Sequence, residues 1–426
     1  MKTAEAAPAA ASPAGTAGTA DEAVAGAARA ARGTVVGLAA APDEALDHAL
    51  RAMAAALGDP ATVAGVLAAN ESDLRSAGLG EGLLDRLRLS AERLSGIAAQ
   101  LRALADVPFD PPRRVIRELP GGLVLAERRR PVGVVGANFE ARPNVVVDIA
   151  SQLVKSRNAG VLRTGSAAIG SAIALADTVI APSLSAAGLP PEMIQLVRVP
   201  GQESAYSLVR QPGLIPLVIL RGSGDSTRSL ALEAARHGVR TMAHADGGGV
   251  LYLDEFADPS LASRVIEESL DRLGVCNRLN LLLVHSSRFD ELLPVVRSVA
   301  GRLGVALSLP PHSHPLGHEW ALDTGHEATV TVLPVGDPRS AAMLANEETS
   351  GLAAGIVTAD RDAAAVFLDT YAGTGAFWNA TTRLLDGFKL FSVPETGINI
   401  DAVPGPRGPV TFRDLCLRQF EVTPKV

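Results

Sequence analysis

The residue best suited to covalent chemistry in this sequence is Cys276, which precedes Asn277 and the apolar run 281–285. A helical pattern over 263–273 leads into it, so the thiol lies at a junction between two elements. Loops on a rigid scaffold often carry catalytic groups, and a thiolate there could hold an acyl group as a thioester. The competing interpretation is a buried, inert thiol, a common state of free cysteine.

Polar and glycine-rich turns follow three predicted strands, at residues 136–144, 163–166 and 221–227. In a doubly wound sheet, ligands bind beyond the carboxyl ends of the strands. The turn Gly222-Ser223-Gly224 leads into a helix and can bring backbone N–H groups against a phosphate. Such turns are common, so this pattern alone is weak evidence for a nucleotide site.

Other residues have a possible chemical role and a simpler explanation. Asp246 precedes a glycine pair; a carboxylate can act as a proton acceptor, although Asp-Gly is also an ordinary turn. Four histidines lie in a loop with Pro and Gly, and their spacing fits no ordered ligand set, so we predict no metal site. They are His312, His314, His318 and His326. Cys416 alternates as a strand residue does and is predicted to be a packing residue.

The elements that must position these groups form an alternating pattern. Strands are predicted at 132–137, 159–163, 194–199 and 217–220, separated by helices at 144–157, 166–187 and 203–210. A second alternating block extends from 250 to 371 and contains Cys276. The alternation predicts an α/β fold with doubly wound parallel sheets, and the cleft between the two domains is the expected ligand site.

The N-terminal third differs from this pattern. Residues 1–31 are mainly Ala, Gly, Thr and Pro, which predicts a disordered arm. Leucines at three- and four-residue spacing up to Leu104 predict amphipathic helices. Two short runs on either side of Pro120-Gly121-Gly122 then predict a β-hairpin over 113–130.

Composition limits the classes of partner. The 426 residues are 47% hydrophobic, enough for a large core in two or three domains. A net charge of -7 argues against nucleic acid or an anionic membrane as partner. Two cysteines make no disulfide framework and indicate a reducing, cytoplasmic compartment. Charged residues and glycines interrupt the apolar runs before the roughly 20 residues that a bilayer requires.

Several of these segments together resemble a known family. Residues 139–148, Cys276-Asn277 before 282–285, residues 379–383 and residues 407–409 are similar to the gamma-glutamyl phosphate reductases, the acyl-phosphate-reducing branch of the aldehyde dehydrogenase superfamily. The similarity extends from about residue 70 to the C terminus. It implies the aldehyde dehydrogenase fold, with a Rossmann-like cofactor domain, an α/β catalytic domain and a β-hairpin for oligomerisation.

The resemblance implies a division of the chain into four parts. They are a disordered arm at 1–31, an NADP-binding domain with its helical lead-in at 32–245, a catalytic domain at 246–378, and a return to the cofactor domain with an oligomerisation strand at 379–426. The hairpin at 113–130 and strand-forming residues near 412–422 would together make the oligomerisation element.

The resemblance also implies roles for individual residues. Cys276 matches the nucleophile, and Asn144 is the candidate oxyanion donor together with the Cys276 backbone N–H. The expected substrate-binding residues are Glu140, Arg142, Asn277 and Arg383. The expected cofactor-binding residues are Arg163, Gly165, Ser166, Gly222, Ser223 and Gly224. Arg163 with Ser166 favours the 2'-phosphate of NADP over the hydroxyl of NAD.

The activity implied is reduction of gamma-glutamyl phosphate by NADPH to glutamate 5-semialdehyde and phosphate through a Cys276 thioester, a step of proline biosynthesis, in a homodimer or homotetramer. Residues 271–281, 346–355 and 390–397 depart from the family pattern. They leave open a relative that reduces another acyl phosphate or acyl thioester. A hydrolytic aldehyde dehydrogenase that uses Asp246 and a non-catalytic homologue also remain as alternatives.

Overall fold

Five helices precede the first strand. The structure is a computed structural model that describes residues 14–222, 224–244, 247–400 and 407–425. The helices are α1 (Ala14–Ala39), α2 (Asp43–Ala56), α3 (Pro60–Ser76), α4 (Glu81–Leu87) and α5 (Ala91–Asp106). Side chains of Asp59 and Ser90 accept the N-cap hydrogen bonds that begin α3 and α5. Apolar residues of α1, α2 and α5 share one core with the first parallel sheet.

Helix α1 corrects the prediction of a disordered arm over 1–31 for the part of that arm that the structure describes. Val24, Ala28 and Ala31 recur at helical spacing and are fully buried, and α1 packs against the strand at 159–164. Alanine has the highest helix propensity, and its small side chain allows close packing. The low hydrophobicity of this stretch gave no sign of a helix in the sequence. Packing against the rest of the fold stabilises the helix. Residues 1–13 lie outside the described residues.

The predicted hairpin is confirmed. Strands β1 (Arg113–Leu119) and β2 (Leu123–Pro131) pair in antiparallel register from Arg113 opposite Arg128 to Leu119 opposite Leu123. The connecting turn has φ values of 79° at Gly121 and 70° at Gly122, a conformation that favours glycine.

The first parallel sheet follows the hairpin. Its strands are β3 (Val134–Phe139), β4 (Ala159–Thr164), β5 (Ile194–Leu196), β6 (Leu217–Arg221) and β7 (Arg240–His244), in the spatial order β5-β4-β3-β6-β7. The helices between them are α6 (Val145–Lys155), α7 (Ile169–Leu175), α8 (Ala181–Ala186), α9 (Gln202–Val209) and α10 (Gly224–Arg236). The chain reverses its winding between β3 and β6, where such sheets bind ligands.

Residues 166–186 form a helical stretch that is long and apolar enough to cross a membrane by length and composition alone. Its buried residues Leu175, Val179 and Leu184 belong to the core of the first sheet, as in a core helix. Helices α2 and α3 pass the same test only as a pair, with a bend of 73° between them. The sequence analysis predicted no apolar run long enough to cross a membrane, because Asp177 interrupts this one.

The second parallel sheet carries the cysteine. Its strands are β8 (Gly249–Leu253), β9 (Leu279–His285), β10 (Ala306–Ser308), β11 (Thr329–Val335), β12 (Ala353–Val357) and β13 (Gly375–Trp378), in the order β10-β11-β9-β8-β12-β13. Helices α11 (Pro259–Ser269), α12 (Phe289–Leu303), α13 (Pro338–Glu348) and α14 (Arg361–Thr370) cover its two faces. Aspartates at 258, 337 and 360 cap three of these helices.

The C-terminal segment returns to the first sheet. It contains α15 (Gly387–Phe391), β14 (Gly397–Asn399), β15 (Gly408–Val410) and β16 (Cys416–Pro424). Strand β16 pairs antiparallel with β2 and completes a three-stranded sheet, as predicted from the residues near 412–422. The α/β class with parallel sheets is thus confirmed, whereas the functional division of the chain at residues 31, 245 and 378 stays a prediction.

Candidate active site

A cavity of about 250 Å³ surrounds Cys276 where α6, the turn before β9 and the C-terminal segment converge. Its polar lining combines one thiol, amides, arginines and carboxylates. These residues are Gln100, Arg142, Asn144, Asp148, Arg221, Arg272, Cys276, Asn277, Arg383, Asp386 and Glu395. The structure therefore brings together Cys276, Asn144, Arg142, Asn277 and Arg383, which the sequence predicted to share a site.

Backbone and side-chain hydrogen bonds fix the loop that carries the half-buried Cys276. The Gly248 N–H donates to the Cys276 carbonyl at 2.6 Å. Thr382 Oγ1 donates to the Asn277 carbonyl at 2.7 Å, and Asn277 Nδ2 donates to the Leu385 carbonyl at 2.9 Å. Asn277 thus anchors the nucleophile loop to the C-terminal segment, and its amide nitrogen is already engaged.

Arg142 is the cavity's least engaged cation. Burial, with repulsion from Arg86 and Arg221, lowers its pKa to about 9, while Cys276 opposes the shift. Within the described chain, its guanidinium makes no hydrogen bond or ion pair. Ala141, just before it, has a φ of 45°, which is rare for a residue with a Cβ and turns the chain at the end of β3. An unpaired arginine beside a cysteine suits an anionic substrate group.

Asn144 lies at the start of α6 and shares the cavity with the thiol. Its Nδ2 donates to Asp148 Oδ2 at 2.9 Å. Burial, helped by Asp386, raises the pKa of Asp148 to about 6, against the effects of Arg221 and Asn144. The oxyanion role of Asn144 stays a prediction, since a substrate would compete with Asp148 for this amide.

Arg383 supports the nucleophile loop from the other side. Its Nε donates to Asp271 Oδ1 at 2.6 Å, and its Nη1 donates to Asn277 Oδ1. Its side chain is 11% exposed and lines the cavity. Arg383 therefore orients Asn277 as well as contributing positive charge to the predicted substrate site.

Sequence reasoning missed the carboxylates that face these arginines. Glu395 Oε2 accepts a hydrogen bond from the Gly387 N–H at 2.6 Å. Burial, followed by repulsion from Asp386, raises the pKa of Glu395 to about 7. Both residues lie in the segment 386–395, which overlaps the departure from the family pattern at 390–397. Their proximity to Cys276 depends on the return of the C-terminal chain, for which the sequence offers no local signal.

Glu140 lies apart from the other predicted substrate-binding residues, and its role stays a prediction. It is absent from the lining of the Cys276 cavity and lies instead beside the turns after β4 and β6. A Cβ added at Gly222 would be 3.0 Å from the Glu140 carboxyl carbon, and one at Gly165 would be 3.9 Å from its Cα. Ser226 Oγ donates to Glu140 Oε1 at 2.9 Å. The side chain follows β3 toward the switch point and away from the thiol.

The same turns fit a dinucleotide. Gly165 and Gly222 follow β4 and β6, the two strands that flank β3, at the edge of the sheet where a dinucleotide binds. Gly224 begins α10, whose N-terminus favours an anion, and Ser166 is exposed at the start of the stretch 166–186. Ser223, also predicted to bind the cofactor, lies outside the described residues.

Arg163, predicted to bind the cofactor, is buried and hydrogen-bonded within the first sheet. Its side chain is 6% exposed, and its guanidinium donates to Ser204 Oγ at 3.1 Å, to Asn138 Oδ1 at 3.0 Å and to the Gly201 carbonyl at 2.5 Å. These bonds engage all three nitrogens and connect β4, β3 and the start of α9. Arg163 therefore connects these elements, and its predicted contact with the dinucleotide stays a prediction.

The remaining candidates have simpler roles where the structure describes them. The histidine loop packs around Trp320, with the His314 and His318 rings 4.6 and 4.7 Å from it. Cys416 is half-buried and bonds the Arg413 carbonyl at 3.2 Å, and burial raises its pKa. Asp246, the candidate base for hydrolysis, lies outside the described residues.

A sequence model of the aldehyde dehydrogenase family matches residues 3–311, and the chain belongs to this family. It is an oxidoreductase whose fold takes a nicotinamide cofactor. More particularly, the gamma-glutamyl phosphate reductase of Roseiflexus castenholzii is 34% identical over 397 residues, 89% of this chain and 92% of that protein. The reductase of the same name from Opitutus terrae is 33% identical over 376 residues, 84% and 87% of the two chains.

Solved structures agree with these relatives. The crystal structure of gamma-glutamyl phosphate reductase from Thermotoga maritima matches with a TM-score of 0.81 at 25% identity, covering 94% of this chain and 98% of that one. An acetylating aldehyde dehydrogenase from Geobacillus thermoglucosidasius matches with a TM-score of 0.74 at 15% identity, covering 96% and 97%. The second match shows a shared fold alone.

Proposed function

We propose that this chain reduces gamma-glutamyl phosphate to glutamate 5-semialdehyde and phosphate with NADPH, in the cytoplasm, as a step of proline biosynthesis. The observation that carries the proposal is the cavity that places the thiol of Cys276 among arginines and carboxylates. Relatives that cover most of the chain are named for the same reaction.

The charges of the cavity complement those of the substrate. Gamma-glutamyl phosphate carries a phosphoryl group and an α-carboxylate, which arginines bind well, and an α-ammonium group, which carboxylates bind. Arg142 lies near the thiol without a partner in the described chain and is suited to the phosphoryl group. Asp386 and Glu395 repel each other and are suited to the ammonium group.

The thiol of Cys276 supplies the covalent step. Its thiolate attacks the acyl carbon, the bond from carbon to the phosphate oxygen breaks, and a thioester forms with release of phosphate. The negative oxygen that develops needs preorganised donors, for which we propose Asn144 Nδ2 and the Cys276 N–H. Asn144 takes this role by exchanging the Asp148 carboxylate, to which its Nδ2 now donates, for the substrate oxygen.

We place the cofactor at the carboxyl ends of β3, β4 and β6, held by the turns at Gly165, Gly222, Ser223 and Gly224. When bound, it supplies the hydride that reduces the thioester. With Arg163 engaged in packing, Ser166 is the remaining predicted residue suited to the ribose phosphate of NADPH. The turns can present backbone N–H groups to the pyrophosphate.

We also propose a homo-oligomer, a dimer or a tetramer, that forms through the three-stranded sheet of β1, β2 and β16. Phe420 and Val422 are more than half exposed on β16, which is an edge strand with unpaired backbone groups. Exposed apolar side chains on an open edge are typical of an interface.

The test is to trap the acyl enzyme. Incubated with glutamate 5-semialdehyde and NADP without phosphate, the wild-type protein should accumulate a glutamyl adduct on Cys276, detected by mass spectrometry of the digested protein. Cys276→Ala should carry no adduct, whereas the control Cys416→Ala should carry as much as the wild type. An adduct on Cys416, or none on a folded protein that binds NADPH, would contradict the proposal.

A further inference from the structure

Two charged side chains near Cys276, those of Glu319 and Arg278, have buried polar atoms that make no hydrogen bond among the described residues. Glu319 Oε2 and both Nε and Nη1 of Arg278 are shielded from solvent and have no hydrogen bond among the described residues. Arg278 is 2% exposed, and its Nη2 donates to the Thr329 carbonyl at a long 3.4 Å. Unsatisfied buried polar atoms are few in native proteins, and each requires an explanation.

Glycine 247 allows Glu319 to approach the nucleophile. A Cβ added at Gly247 would lie 2.4 Å from Glu319 Oε2, 2.7 Å from the Cys276 carbonyl oxygen and 2.9 Å from the Cys276 Cα. The carboxylate oxygen therefore packs next to the backbone of the nucleophile. Gly247, which has no side chain, lies between the two groups. Any other residue at position 247 would separate the two groups.

Hydrogen bonds to β9 hold the Glu319 loop in this position. Asn280 Nδ2 donates to the His318 carbonyl, and the Trp320 N–H donates to Asn280 Oδ1 at 3.4 Å. Trp320 Nε1 donates to Thr331 Oγ1 at 3.0 Å. Both residues that flank Glu319 are thus bonded to the strand that follows Cys276, so the carboxylate and the thiol are supported by one rigid element.

Burial favours a proton on Glu319, and the charges that face the pair act in both directions. Burial is the largest effect and raises the pKa of Glu319; Arg86 and Arg278 oppose it, and Cys276 adds to it. From the cavity side, the thiol faces the charges of Arg142 and Glu395. On the loop of Glu319 itself, His318 pairs with Asp323.

We propose that Glu319 is the proton acceptor for the thiol of Cys276. The S–H bond breaks, an O–H bond forms at Glu319 Oε2, and the electron pair stays on sulfur to attack the acyl carbon. The proton stays on Glu319 while the thioester forms, and the departing phosphate takes its proton from solvent. When the aldehyde leaves, the regenerated thiolate takes the proton back and restores the carboxylate of Glu319. A bridging water can carry the proton between sulfur and oxygen. The return of the proton rests on the proposed function, but ionisation of the thiol does not.

The position of Glu319 also separates this role from hydrolysis. Glu319 does not line the substrate cavity around Cys276, and it packs against the backbone side of the nucleophile. A base that hydrolyses a thioester must direct a water at the acyl carbon. Glu319 can therefore accept the thiol proton without diverting the thioester to the free acid.

The rate at which iodoacetamide alkylates Cys276, measured from pH 5 to 10 in a Cys416→Ala background, tests the proposal. The pair can exist as thiol and carboxylate or as thiolate and carboxylic acid, and both forms hold the same number of protons. If the pair shares one proton, the fraction of Cys276 present as reactive thiolate is therefore independent of pH below the ordinary pKa range of a thiol. We expect a plateau there in the parent protein. Glu319→Gln should abolish the plateau and slow alkylation at pH 6.5 about tenfold or more. Glu319→Asp should restore part of it.

Glu327→Gln is the matched control. Glu327 is a buried carboxylate of the same loop, but it accepts hydrogen bonds from the Glu81 and Gly325 N–H groups. Its variant should keep the plateau. Alkylation of folded Glu319→Gln that is as fast as in the parent, or faster, would overturn the proposal, because Glu319 would then only repel the thiolate. A normal plateau in a protein that traps no acyl adduct would instead refute the proposed function alone.

Discussion

Glu395 has a pKa of about 7 mainly because it is buried, with Asp386 adding to the rise. In an unfolded chain a glutamate titrates near 4.3. Below that pH both states hold the proton, and burial of the neutral group costs little. As the pH rises toward 7, the unfolded state loses the proton first, so the free energy of unfolding falls across this window.

Glu395→Gln should therefore make the protein more stable at pH 8.5 by about 1 to 3 kcal/mol and leave its stability unchanged near pH 4. The glutamine keeps an oxygen that can accept from the Gly387 N–H but cannot ionise. The same variant should raise the KM for glutamate 5-semialdehyde, because the ammonium group loses a carboxylate partner. Urea unfolding at the two pH values and steady-state kinetics measure the effects. An equal stability difference at both pH values would contradict the ionisation argument.

Some residues of the site could be predicted from sequence motifs, and others could not. Cys276, Asn144 and Arg142 lie in short motifs, so the sequence predicted them and the structure places them in one cavity. Glu395 and Glu319 have no motif, and only the folded chain brings them near the thiol. Sequence could not show that Ser204 and Asn138 engage the guanidinium of Arg163.

At the level of elements, the three-stranded sheet of β1, β2 and β16 is the proposed subunit interface, and substitutions on β16 can test it. Phe420 and Val422 are two residues apart on β16 and therefore share a face. Phe420→Asp with Val422→Asp should weaken self-association at least about tenfold, because interface aromatic residues commonly contribute more than 1 kcal/mol each. Light scattering after size-exclusion chromatography would show a smaller species at the same protein concentration.

Gln419→Glu is the control for the oligomer prediction. It adds a charge on the opposite face of β16 and can still accept from Arg130 Nη1, as Gln419 does. The assembly should persist in this variant. A double variant of unchanged mass, or a wild-type protein that is monomeric, would rule out this sheet as the interface.

Most strands were predictable because buried parallel strands are continuous apolar runs. The runs at 134–139 and 279–285 are buried along nearly their whole length. Strand β7 was missed because Arg240–His244 is largely polar. Helix α1 was missed because alanine gives it propensity but little hydrophobicity, and its stability depends on Val24 and Ala28 packing on the rest of the fold.

For the whole molecule, the site exists because three parts of the chain converge. The first sheet contributes Arg142 and Asn144, the second contributes Cys276, and the C-terminal segment contributes Glu395. Sequence order predicted the two sheets and the cleft between them. The resemblance also predicted the pairing of β16 with the hairpin, but not that Asp386 and Glu395 would line the cavity.

The central claim is that phosphate exchanges with the acyl group on Cys276. The direct test is NADP-dependent oxidation of glutamate 5-semialdehyde, run with phosphate, with coenzyme A and with neither, on the wild type and on Cys276→Ala. We predict sustained NADPH formation only with phosphate and only in the wild type. Sustained turnover without phosphate would indicate hydrolysis of the thioester. Sustained turnover with coenzyme A would indicate an acylating dehydrogenase. Either result would contradict the reduction of an acyl phosphate.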